Sequence, residues 1–160
     1  MEIGSDFNTT FPSTNDLFFI SGRVALKNIL TLLTLENDIC LVPNYLCDSV
    51  INCFTNVEYY KINNNFCIDL PFLKSLLSQK TFKILYVINF FGYVDENINE
   101  IKELCEKNNI VLLEDYTHNL FSEKLYGDIC LCSYRKTIES PFGCIVKDRT
   151  NKLNIKQKTW

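Results

Sequence analysis

Two short apolar runs, Ile110–Leu113 and Ile129–Cys132, constrain this chain more than any other feature. A short, uninterrupted apolar run is what a strand covered on both faces looks like. The first run stops at Glu114-Asp115. The second stops at Ser133, and Lys136 follows three residues later. In open parallel α/β sheets, ligands bind just beyond the carboxyl ends of the strands. An acid at one such end and Ser-x-x-Lys at the next outline a cofactor site.

The rest of the chain alternates in the same way. Strands are expected at Leu17–Ile20, Ile39–Val42, Val57–Ile62, Lys83–Ile88 and Cys144–Val146, in addition to the two above. Helical spacing follows Ser21, with Val24, Leu26, Ile29, Leu30 and Leu33 on one face and Ser21 as its cap. Tyr45–Phe54 reads as a helix. Asp69 with Pro71 marks another helix start, and Asp95 opens one with Ile98, Ile101, Leu104 and Cys105 inward. Strands alternating with helices predict a three-layer α/β/α domain around a mostly parallel seven-stranded sheet. Between Ser133 and Gly143 there is no room for a crossover helix, and Pro141 interrupts the segment. A parallel return needs about a dozen residues or more, so the last strand is expected to run antiparallel. The domain is expected over 17–148, with an irregular arm over 1–16 and a polar basic tail over 149–160.

Composition excludes several classes. The chain has 160 residues, long enough for one domain with a real core, and its net charge of -3 makes no case for nucleic acid. No apolar run is long enough to span a bilayer, and the first residues lack a signal-peptide pattern, so a cytoplasmic protein is expected. The eight cysteines form no C-x-x-C pair and the chain has one histidine, which argues against zinc. Reduced thiols are the expected state.

Ser21-Gly22-Arg23, Asn89, Asp115, His118, Ser133 and Lys136 all fall at the same edge of the expected sheet. Singly, each has an ordinary reading. Lys136 is then a solvated lysine, Asp115 a loop or cap residue, His118 a surface histidine, and Ser21 a helix cap with nothing bound. As an ordered set they point to a site.

The set resembles the large domain of fold-type I pyridoxal-phosphate (PLP) enzymes, and most of all the DegT/DnrJ/EryC1 group of sugar aminotransferases. The resemblance runs from Leu17 to Lys147. It rests on Ser-Gly-x-x-Ala-Leu at Ser21–Leu26, Val42-Pro43, Asn-Phe-Phe-Gly-x-x-x-Asp from Asn89, Glu-Asp-x-x-His at Glu114–His118, and Asp-Ile-x-x-x-Ser-x-x-Lys at Asp128–Lys136. It implies that Lys136 holds the aldehyde of PLP and that Asp115 pairs with the pyridine nitrogen. It implies that Ser133 and the backbone at Ser21, Gly22 and Arg23 hold the phosphate. His118 and Asn89 would stand near the phenolic oxygen, and Arg135 near the phosphate or nearby acids. The implied partners are an amino donor, a nucleotide-linked sugar and a second copy of the chain.

The sequence departs from that group in four places. The interval from Ser133 to Lys136 is shorter than usual, as in aspartate aminotransferase-like members. Cys47 stands where an aromatic usually stacks on the ring, with Tyr45 as a substitute. A Gly-Gly before the last strand is reduced to Gly143-Cys144. The smaller C-terminal domain has no counterpart here. An inactive remnant or interaction module of the same fold is the alternative expectation.

Overall fold

The computed structural model describes residues 16–122, 124–140 and 143–153. The expected arm (apart from Asp16), the tail beyond Leu153, and Pro141 lie outside the described residues. Seven strands form one sheet: β1 (Asp16–Phe19), β2 (Cys40–Pro43), β3 (Val57–Tyr60), β4 (Ile84–Ile88), β5 (Val111–Asp115), β6 (Ile129–Ser133) and β7 (Cys144–Asp148). Their order is β1-β7-β6-β5-β4-β2-β3. The pairs β2–β3, β2–β4, β4–β5 and β5–β6 are parallel. β7 runs antiparallel to both of its neighbours, β6 and β1. Among the described residues between β6 and β7 there is only a 3-10 turn, Tyr134–Lys136, and the segment is too short for a crossover helix, so β7 has to reverse. This is the mostly parallel seven-stranded α/β sheet with a reversed last strand that the sequence predicts.

Helices cover both faces. α1 (Gly22–Leu33) packs Ala25, Leu26, Ile29 and Leu30 against Val42, Ile84, Tyr86, Leu113 and Leu131. α3 (Leu70–Gln79) and α4 (Ile98–Lys107) bury Leu73, Leu76, Ile98 and Ile101 against Leu41, Leu85, Val87 and Leu112 on the other face. The strand residues divide between these two cores by parity, because successive side chains point to opposite faces. Ser21 caps α1 by accepting the N–H of Val24, and Asp69 caps α3 by accepting that of Phe72.

Two expected helices are shorter than their sequence patterns. Tyr45–Phe54 yields only α2 (Asp48–Ile51). Ser, Val, Asn and Asp are weak helix formers, and Tyr45, Leu46 and Cys47 instead line a cavity. Asp95 does not open α4 itself. Its carboxylate accepts the N–H of Asn97 at 2.8 Å and of Ile68 at 2.5 Å, which ties two loops together ahead of the helix. Contacts continue past residue 148. Arg149 donates to the Gly127 carbonyl at 2.9 Å, and Leu153 is buried in the α1-side core. All eight cysteines are free, and six of them are buried. Among the described residues no helix is long and apolar enough to cross a membrane.

Candidate functional site

The parity that splits the sheet between two cores also builds the site. Tyr86 and Ile88 on β4, Asp115 on β5, and Leu131 and Ser133 on β6 face α1 and line a cavity at the strands' carboxyl ends. Its volume is about 390 Å³. Ser21, Gly22, Arg23, Tyr45, Cys47, Thr117, His118, Arg135 and Lys136 complete most of the wall.

Asp115 is the carboxylate of this wall. It is buried, and both of its oxygens are engaged. The Tyr86 hydroxyl donates to Oδ2 at 2.5 Å, and the Thr117 N–H donates to Oδ1 at 2.9 Å. Each oxygen keeps a further lone pair, so a ligand N–H can still be accepted. Tyr86 is itself held fast. The Tyr60 hydroxyl donates to its carbonyl at 2.9 Å, and the Phe54 ring meets its ring edge-on at 5.5 Å. Burial first, then the charge and hydrogen bond of Asp115, push the Tyr86 phenol well above its usual range. The phenol therefore stays neutral and acts as a donor.

Opposite this floor lies the start of α1. The first N–H groups of a helix have no intrahelical partner. Ser21 satisfies that of Val24, which leaves those of Gly22 and Arg23 open beside the cavity. Gly22 is needed for close approach, since a Cβ there would stand 3.2 Å from Cβ of Ser133. Ser133 is fixed in turn by its own N–H, which donates to Thr117 Oγ1 at 3.0 Å. Amide groups, a serine hydroxyl and the side chains of Arg23 and Arg135 form a donor set suited to a phosphate. Lys136 reaches the same cavity from the 3-10 turn and is exposed, with no ion-pair partner among the described residues. The donor set, the Gly22 cradle and the carboxylate floor fit PLP.

The mouth is aromatic. Tyr45, Phe90 and Phe91 line it, and Phe66 packs against all three. Phe91 has a left-handed backbone (φ 55°), unusual for an aromatic residue. Its N–H donates to His118 Nδ1 at 3.2 Å, so the neutral imidazole carries its proton on Nε2.

Asn89 is the exception among the expected site residues. It is fully buried and does not line the cavity; its Nδ2 donates to Glu114 Oε1 at 2.9 Å. The physical reason is parity. Asn89 follows Val87 onto the α3/α4 side, as Glu114 follows Leu112. The same rule, applied to the sequence, finds Tyr86 on the Asp115 face. Thr117 and the role of Tyr86 were both missed by reading only the strand ends.

No protein-family model matches the chain. No curated protein matches it either. Solved structures do. Substrate-bound BacF from Bacillus subtilis superposes with a TM-score of 0.72 at 18% identity, over 90% of this chain and 43% of that one. An aminotransferase from Psychrobacter cryohalolentis gives 0.69 at 17% identity, over 86% and 38%. NtdA from Bacillus subtilis with bound cofactor PMP gives 0.73 at 17% identity, over 86% and 34%. The chain thus spans less than half the length of the structures it matches.

Proposed function

We propose that this chain is the cofactor-binding part of a PLP-dependent aminotransferase acting on a nucleotide-linked sugar, and that it works as a homodimer. The observation carrying this reading is that Asp115, Lys136 and the Ser21–Gly22–Arg23 donors face one cavity from three sides. The fold shared with PMP-bound NtdA supports it. PLP, when bound, supplies an electron sink for the carbon that carries the transferred amino group. Lys136 is the amine that would hold the aldehyde and would carry the proton to and from the substrate carbon. Asp115 would keep the ring nitrogen protonated. Ser21, Gly22, Arg23 and Ser133 anchor the phosphate, with Arg135 beside them. His118 and Tyr45 line the same cavity and would flank the cofactor. The sugar substrate rests on the resemblance of Glu-Asp-x-x-His and its companion motifs.

The test is direct. The purified chain is titrated with PLP, reduced with borohydride and digested for peptide mass spectrometry. A visible absorbance band and a pyridoxyl label on Lys136 are expected. A colourless protein, or a label on another lysine, overturns the reading. Homodimerisation is checked by sedimentation, where a monomer at every concentration removes that part. A second reading, binding without turnover, is favoured by Cys47 at the position where the resemblance places a stacking aromatic. Labelling of Lys136 with no amino transfer from any donor to nucleotide-linked keto sugars would select it.

A further inference from the structure

We infer that Tyr86 is a positioning residue that sets how firmly Asp115 holds a proton on the cofactor's ring nitrogen. The inference rests on the PLP reading above. Its basis is the buried contact between the two side chains, with the Tyr86 hydroxyl 2.5 Å from Asp115 Oδ2. A hydrogen bond from a neutral donor to a carboxylate stabilises the charged form and spreads its charge. Asp115 is then a weaker base toward any other donor than a carboxylate facing the ring alone. Parity puts the two side chains on one face, because Tyr86 pairs with Leu113 and Ile88 with Asp115 in the β4–β5 register. Tyr86 cannot swing away, since Tyr60 holds its carbonyl and Phe54 closes on its ring.

The other groups that sense Asp115 do not replace this control. The thiols of Cys132 on β6 and Cys144 on β7 both feel its charge. Burial first pushes the Cys144 thiol up to about 12, and pushes that of Cys132 higher still. Both are neutral and inert at working pH. The Thr117 N–H on Oδ1 is backbone and does not titrate. Lys136 and His118 line the same cavity but, among the described residues, make no hydrogen bond to Asp115. The phenol is therefore the adjustable donor.

The experiment uses PLP whose ring nitrogen is 15N-labelled, fixed on Lys136 with borohydride. The ring-nitrogen shift is followed by NMR against pH. Two variants are compared with the parent: Tyr86→Phe, and the full chain with 3-fluorotyrosine installed at position 86. Removing the phenol should raise the ring nitrogen's titration midpoint by about one pH unit, a tenfold gain in proton affinity. The more acidic fluorophenol should lower it. A merely structural Tyr86 would alter stability without producing opposite shifts. If Tyr86→Phe fails to fold, the fluorotyrosine arm alone decides. Parental midpoints in the folded variants overturn this inference and leave the cofactor reading standing. A parent chain that never attaches PLP overturns both.

Discussion

Cys47 is the thiol on which outside chemistry should fall first. Burial pushes its pKa up, but a hydrogen bond with Ser49, another with the Val50 backbone and the charge of Lys136 pull it below the ordinary value of 9.0. The Cys47 sulfur lies 3.2 Å from Ser49 Oγ. Cys40 and Cys105 are pushed the other way by burial, to about 12. The thiolate is the nucleophile, so a lowered pKa makes a thiol reactive at lower pH. Iodoacetamide at neutral pH should label Cys47 ahead of the buried cysteines, with a rate midpoint below 9.0 that rises in Lys136→Ala. Peptide mass spectrometry across a pH series reads both. Bound PLP should protect the thiol. At Asp115 the expected effect is on chemistry. Asp115→Asn keeps the volume and an acceptor for Tyr86 but removes the charge. An ion pair broken in a buried site costs on the order of several kcal/mol. The variant should still take up PLP on Lys136, seen by borohydride labelling, while turnover with any amino donor falls steeply.

Glu114 and Asp115 are chain neighbours at the end of β5, and the pleat sends them to opposite faces. One serves the cavity and the other serves the scaffold. Glu114 is fully buried and accepts the N–H of Tyr126 at 2.6 Å, that of Gly127 at 2.7 Å, and Nδ2 of Asn89 at 2.9 Å. This clamp ties the end of β4 to the loop that enters β6. Gly127 is part of it, since a Cβ there would stand 2.7 Å from Cβ of Glu114 and 2.8 Å from the Ile129 carbonyl. Gly127→Ala should therefore cost about 1–3 kcal/mol as an overpacking change. Glu114→Gln should cost about 1–3 kcal/mol by mispairing a buried acceptor. Thermal denaturation measures both, and the PLP-binding residues are untouched in each. The strands were legible from apolar runs, and Asp115, Ser133 and Lys136 from the polar residues that end them. Asn89 was misread because a strand end says nothing about face. Tyr86 was not singled out, since its hydroxyl partner lies on another strand. α2 was over-read because apolar spacing at Tyr45–Phe54 arises equally from residues that line a cavity.

At the scale of the whole molecule, a mostly parallel sheet with a reversed last strand followed from alternation and from the short link before β7. What alternation does not reveal is where β1 goes. Among the described residues it pairs with β7 alone, in the register Asp16↔Lys147 to Phe19↔Cys144. Gly143 extends the contact, donating its N–H to the Ile20 carbonyl at 2.8 Å. Among the described strands β1 therefore waits for its one sheet neighbour until β7 has been made. Domains that fold during synthesis add elements in order, and contacts of large sequence separation form late. Ser21 and Gly22 sit directly after β1, so the β1–β7 pairing helps to fix them beside the cavity. A chain ended after Ser140 should keep much of its far-UV circular dichroism, from the parallel strands and their helices, yet fail to retain PLP. The cofactor cavity is therefore a sensor of one strand pairing: a chain should gain the ability to hold PLP only once β7 has closed on β1.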